Sequence, residues 1–361
     1  MKVKLESFLQ EVSEKTTENN QYQVLTSSKV GLYLQSDYFN KQVASKDNKG
    51  YKIIKKGQFT YRAMSDTGEF FPNMLECTDI GIVSPAYPVF EIVKPVIIPE
   101  YLKYYFKSNG FQQSISSFAQ GSTRTSIKYG KLKTVSMDLP NLEEQKRVIA
   151  ILDTIHNIID SSKQELKMFD DLIKARFVEM FGDPVTSLKG RKQVPFSEFM
   201  TDIKYGTSQP PQFSEDGEYK FIRATNIKKG RITEENMLRI SEAEAAKIQK
   251  CKLLVNEIII VRSGANTGDT CVVTTEYAEN YAGYDIIITL DLTKANPVYF
   301  NELINTHYME QIVKPLTARS AQPHLNTKQV QGMPMIVASM DEQNEFAVFV
   351  EQVDKSKFVV I

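Results

Sequence analysis

An internal repeat constrains this chain more than any other feature. Displacing the 361-residue sequence by 198 positions brings a block without gaps into register. Pro99, Glu100, Tyr101 and Leu102 fall over Pro297, Val298, Tyr299 and Phe300, Ile127 over Leu325, and Leu132 over Val330. Glu144-Gln145 then falls over Glu342-Gln343, and with an offset one residue shorter Tyr22 to Thr26 lies over Tyr219 to Arg223. Identities are few, yet apolar positions lie over apolar positions throughout. Short periods mean stacked arrays; a period of this size means two whole domains of one design. A chain carrying one recognition module twice is suited to binding two similar features at a fixed separation.

The length accommodates two domains with cores of their own plus connecting helices. With 42% apolar and 24% charged residues the composition is that of a globular protein. No apolar run reaches bilayer-spanning length, and residues 1–7 lack a signal-peptide core. Cys77, Cys251 and Cys271 are scattered and odd in number, which implies no disulfide framework and a reducing, cytoplasmic setting. Net charge is zero, but it is unevenly distributed. Residues 1–140 carry a modest basic excess and residues 185–338 are close to neutral, whereas 141–184 and 339–361 are acidic. That distribution permits a phosphate-facing surface without requiring one.

Each half follows the same course: strand-rich sequence, a short helix opened by proline (Pro99 to Asn109; Pro297 to about Ile312), a polar loop, a last strand (Thr134–Leu139; Met333–Val337) and a helix. The turns at Lys56-Gly57 and Asn256-Glu257 each lead into a β-branched or aromatic run. In the helix after the first half, apolar residues recur at 148, 152, 155, 159, 166, 169, 173 and 180, a heptad seam of about four heptads. Ile151, Ile158 and Leu172 add a second flank. Gly182 and Pro184 stop the helix. About 35 helical residues would span on the order of 50 Å, more than one turn of duplex DNA. The second helix begins alike, with Phe346, Val350 and Val353 over Val148, Leu152 and Ile155, and runs about 15 residues to Ile361. A counterpart of residues 164–181 is missing from it, so Leu166, Phe169 and Ile173 are expected to lack an antiparallel partner. The division is 1–140, 141–184, 185–338 and 339–361: two similar mixed α/β (α+β) domains separated by long coiled-coil-forming helices.

Catalytic constellations are hard to assemble. His156, His307 and His324 fall at no metal-ligand spacing with a cysteine or one another. The stretch Arg262 to Gly268 superficially resembles a phosphate-cradling loop but lacks its terminal Gly-Lys-Ser/Thr. An Asn-Pro-Pro-Tyr-type box of adenine methyltransferases is absent. Recognition chemistry is easier to place, because Arg and Lys pair with guanine edges, Asn and Gln with adenine edges, and small polar residues position phosphates. The first half offers Lys46, Lys49, Lys52, Arg62, Ser122, Arg124 and Lys128. The second offers Tyr205, Arg223, Asn226, Lys228, Lys229, Arg231, Arg262, Ser263, Asn266, Arg319, Gln322 and His324. Any one of these suits a solvated loop; their parallel placement in two repeated domains marks the group as a DNA-binding surface.

This pattern resembles the specificity (S) subunit of Type I restriction–modification systems over essentially the whole chain. The block Gly121 to Ile127, Leu132, Leu139-Pro140 and Leu142 to Gln145 is similar to the end of a target-recognition domain entering a conserved helix. Phe177 to Asp183 closes that helix in the family manner, and Ser320 to Asn326 with Asp341 to Gln343 repeats the theme. The resemblance implies that each half reads one part of a split target in double-stranded DNA. It implies that the helices set the gap and dock two methyltransferase (modification) subunits, beside a restriction/translocase subunit. S-adenosylmethionine, ATP and Mg would belong to those partners, and this non-catalytic chain would bind no cofactor. The alternative is a protein–protein adaptor with a coiled-coil spacer.

Overall fold

The computed structural model describes residues 2–38, 47–118, 125–317 and 323–360. The chain divides into two units, residues 1–159 and 160–361, each with its own core.

In the first unit β1 (Leu9–Val12), β2 (Phe59–Thr60), β3 (Met64–Ser65), β4 (Asn73–Met74) and β5 (Val89–Ile92) precede two short helices, α1 (Pro99–Lys107) and α2 (Asn109–Ser116). Four strands form an antiparallel sheet in the order β1-β5-β2-β4. Its inner face and the helices meet in an aromatic core, where Phe90 stacks on Phe59 and Phe106 packs edge-on against both. The polar loop leads to β6 (Thr125–Ser126), which pairs with β3. The long helix α3 (Leu142–Phe181) follows.

The second unit repeats the plan. Its strands β7 (Met200–Tyr205), β8 (Ile258–Ile260), β9 (Thr270–Val272) and β10 (Ile286–Leu290) form an antiparallel sheet in the order β7-β10-β8-β9. The helices that bear on the site follow: α4 (Pro297–Ile304), α5 (Thr327–Gln331) and α6 (Met340–Val360). Even turn geometry is shared. Gly57 and Asn256 both take positive φ, and each donates its N–H across the turn, to Leu75 O and Val273 O. The proline-opened helices are shorter than the sequence suggests, because the chain turns at Ser108 and at Asn305.

The repeated Glu-Gln pair explains itself here. Glu144 closes a capping box with Asn141, as Glu342 does with Ser339. The glutamine that follows is fully buried in both units. Gln145 accepts from Ile98 N (2.8 Å) and donates to Val96 O and Pro140 O. Gln343 accepts from Asn296 N (2.8 Å) and donates to Lys294 O and Ala338 O. Each glutamine ties the start of a long helix to the residue before a proline-opened helix.

One expectation about the helices is reversed. Ile173 is buried, and Leu166 and Phe169 are half-buried. They are not stranded, because α6 runs antiparallel beside this end of α3. Lys357 pairs with Asp170 at 2.7 Å, Arg176 with Glu345 at 3.1 Å, and Phe346 packs edge-on against Phe177 and Phe181. An antiparallel partner meets the far end of its neighbour first, so a second helix of this length covers residues 169–181. The uncovered seam is the other end. Val148, Ile151, Ile155, Ile158 and Ile159 are exposed, Ile151 at 52% and Ile158 at 60%.

Candidate nucleic-acid interface

Strand geometry gathers several loops of the second unit at one end of its sheet. Tyr205 ends β7 opposite Ile286, the first residue of β10, and Ile260 ends β8 opposite the same residue. The segments beyond β7 and β8 and the one preceding β10 therefore converge. Their close approach requires Gly206, whose N–H donates to Asp285 O at 2.9 Å, while a Cβ there would lie 1.7 Å from Gly283 O. A fourth segment joins them. Ser263 bridges to His324, and Leu325 N donates to Arg262 O at 2.9 Å. Asn326 then caps α5 in a capping box with Gln329.

Arg262 stands at the centre. Its guanidinium carbon lies 4.4 Å from the ring centre of Tyr205 and 4.2 Å from that of Tyr284, a cation held between two aromatic faces. Its Nε and Nη2 lie 3.3 and 3.2 Å from His324 Nε2. That contact calls for the neutral histidine tautomer carrying its proton on Nδ1. Behind the stack, Asp285 Oδ1 accepts from Arg262 N at 3.0 Å; burial pushes this carboxyl up to about 6. The Tyr205 hydroxyl accepts from Thr327 N at 3.1 Å. Burial raises its pKa, but the Thr327 hydrogen bonds and the Arg262 charge outweigh that and leave it below the usual tyrosine value. Both tyrosines keep exposed edges, 37% and 44%.

Beside the stack a shallow depression collects Arg223, Lys228 and Asn266 with Thr225, Glu235 and Asn236. Asn266 donates to Ala224 O at 3.3 Å, joining the Arg262 loop to this second group. Lys229 sits exposed in the left-handed region at the hairpin turn between Lys228 and Arg231. In the first unit Lys49, Arg62 and Lys128 are exposed. Arg62 lies 3.8 Å from Asp66, and the segments of Arg62 and Lys128 adjoin through Ile127 N donating to Ala63 O.

Three residues expected at the surface serve the fold instead. Asn226 is fully buried, and its amide donates to Thr233 O and Glu235 O, because the hairpin backbone needs a partner there. Arg231 is ion-paired to Asp354 on α6. Lys52 lies within a strand with only 14% of its side chain exposed, 3.8 Å from Glu11. Arg223 is partly committed, donating to Asn236 O at 2.8 Å. Lys46, Ser122, Arg124, Arg319 and Gln322 lie outside the described residues. Tyr284 and Asp285 are the additions. An aromatic between glycine and aspartate just before a largely apolar strand is the available signal. Among the described residues no group of three or more His, Cys, Asp or Glu side chains is placed to hold a metal ion.

The profile of the Type I restriction modification DNA specificity domain matches residues 6–168 and again residues 200–358. The chain belongs to this family. Both matches coincide with the repeated sheet, proline-opened helix and glutamine clamp. Among curated relatives, the EcoKI specificity subunit of Escherichia coli is 23% identical over 277 residues, 71% of this chain and 59% of that protein. The MjaIX specificity subunit of Methanocaldococcus jannaschii is 25% identical over 193 residues, 49% of this chain and 44% of that protein. The chain thus spans less than two thirds of the length of these relatives. Among solved structures, the S subunit of a Type I restriction–modification system from M. genitalium superposes with a TM-score of 0.56 at 14% identity, covering 100% of this chain and 90% of that one. A chain from a study of assembly and conformational transition of the type I R-M system gives 0.52 at 16% identity, covering 100% and 91%. These two matches share the fold of this specificity-domain pair.

Proposed function

We propose that this chain is the sequence-specific DNA-recognition subunit of a Type I restriction–modification complex. Each unit reads one half of a bipartite target in double-stranded DNA. Helices α3 and α6 set the spacing of the half-sites, and the exposed seam of α3 docks the methyltransferase subunits, of which two would bind. A restriction/translocase subunit completes the assembly in the cytoplasm. Methyl transfer from S-adenosylmethionine and ATP- and Mg-dependent cleavage reside in those partners, and this chain supplies recognition without catalysis or a cofactor of its own. The observation that carries the reading is the duplicated scaffold. Two units of one topology, each tied to a long helix by the same buried glutamine, present differing polar loops from the ends of their sheets. The adaptor alternative gives no reason for duplicated, guanidinium- and amide-bearing loop clusters.

The deciding experiment is a single-molecule methylation map of DNA from cells expressing the chain with its modification subunit, against cells lacking the chain. A split motif with methyladenine in each half, appearing only with the chain, is the expected result. Absence of any new motif from an assembled complex would refute recognition. Exchanging residues 185–338 for those of a relative is expected to change one half of the motif and leave the other.

A further inference from the structure

Arg262 differs from every other cation of the described loops in how it is held. Its guanidinium carbon lies over two tyrosine rings, 4.4 and 4.2 Å from their centres, and His324 occupies the edge formed by Nε and Nη2. The remaining edge, formed by Nη1 and Nη2, is the one directed away from these partners. It is a planar pair of donors with its roll and tilt already fixed. Arginine donates and never accepts, so the complementary ligand must offer two adjacent acceptors. In the major groove only guanine does so, through O6 and N7. A phosphate also offers two acceptors, but phosphate contacts are well served by flexible cations and backbone N–H groups that set register. Confining a guanidinium between aromatic faces forfeits that flexibility, and the return is geometric selectivity.

Resting on the DNA-recognition reading above, we infer that Arg262 is a specificity-determining residue that reads one guanine of the half-site assigned to the second unit. Tyr205, Tyr284 and His324 are positioning residues that aim its remaining donor edge. Asp285 secures the backbone from which Arg262 projects, and Gly206 permits the loops to close around it. The guanidinium approaches the guanine edge in the plane of the base. The tyrosines, whose planes flank it, meet neighbouring base edges rather than the guanine itself.

The test uses the assembled complex with its modification subunits and duplexes carrying the mapped target. Each guanine of the second unit's half-site is replaced in turn by 7-deazaguanine, which removes the N7 acceptor and keeps base pairing. One position is expected to weaken binding toward the lower end of the roughly 5- to 150-fold loss typical of a bidentate contact, because O6 remains. An R262M complex, which keeps a long side chain over the tyrosines but loses every donor, should be insensitive to that replacement. Its methylation map should become degenerate at that one position while the other half-site stays unchanged. Uniform weakening by R262M with the sequence preference intact and a shallower salt dependence would identify a phosphate contact and overturn the inference. So would wild-type indifference to 7-deazaguanine at every guanine, or a half-site without guanine; these wild-type outcomes hold even if R262M fails to assemble. A wild-type complex that shows no sequence preference at all would instead refute the recognition reading.

Discussion

Replacing Gln343 by leucine tests the structural core of the repeat directly. The side chain is fully buried, so its amide has no water to fall back on. Leucine of similar bulk leaves Asn296 N, Lys294 O and Ala338 O without the partners they have at 2.8, 3.1 and 3.0 Å. An unsatisfied buried donor or acceptor costs about 1–3 kcal/mol. Two of the three groups are carbonyls at the rim of a helix junction, where relaxation recovers part of the loss, so a total of about 3–5 kcal/mol is expected. Against a typical domain stability of about 5–15 kcal/mol that is severe. For a unit of this size it corresponds to roughly 10 °C or more in melting temperature. Urea unfolding of the full chain, followed by far-ultraviolet circular dichroism, would resolve it. Q145L should destabilise the first unit by a similar amount, since its three bonds are the same in kind. A loss below about 1 kcal/mol in both variants would refute the clamp, leaving the repeated glutamine without the role its geometry assigns.

Three further expectations follow from other parts of the molecule. Glu302 is pushed up to about 7 by burial, against the opposing pull of Arg231. The folded chain thus holds a proton there that the unfolded chain releases above about 4.5, and stability should fall as pH rises from about 4.5 to 7, by at most about 1.4 kcal/mol per unit from this group; E302Q should flatten that slope in urea titrations at stepped pH. G206A places a methyl group inside the contact with Gly283 O, so the loops must part, and target recognition should be lost alongside a destabilisation of about 1–3 kcal/mol. I151K with I158K should leave the isolated chain's melting temperature nearly unchanged, since both positions are exposed, while abolishing co-purification with the modification subunit; retained assembly would remove the seam from the docking surface.

Much of the fold is legible in the sequence because it is written in backbone-level signals. Pro99 and Pro297 announce helix starts, Gly182 with φ of 86° ends α3, and the Glu-Gln pair recurs wherever a helix must be tied back. What the sequence hides are partner choices made across long separations. Arg231 reads as a free loop cation until Asp354, 123 residues later, is brought beside it. Asn226 reads as a base-reading amide until its hairpin folds around it and consumes its donors. The sequence points to the wrong end of the α3 seam as exposed for a similar reason. Heptad spacing reports that a helix has a partner, not the direction in which the partner runs, and direction decides which residues a short partner covers. Tyr284 does not stand out in the sequence because one aromatic before a largely apolar strand carries no periodicity to distinguish it.

The equivalence of the two units also separates what the scaffold needs from what recognition needs. Hydrogen-bond register sets the correspondence. Ile127 N donates to Ala63 O as Leu325 N donates to Arg262 O, and Val93 N donates to Phe8 O as Asp291 N donates to Phe199 O. Carried along the paired strands, that register places Ser13 and Ala86 of the first unit where Tyr205 and Tyr284 stand in the second. The first unit therefore has Ser13, Ala63 and Ala86 at the three positions that build the stack, while its buried glutamine is retained. Its recognition must rest on other side chains, among which Arg62 and Lys128 are the exposed cations on adjoining segments. The two half-sites should accordingly differ in sequence, and A63R alone should not transplant the second unit's preference, because the arginine would lack its flanking rings. A methylation map with two identical half-sites, or one in which A63R duplicates the second half-site in the first, would refute this division between a common frame and unlike tips.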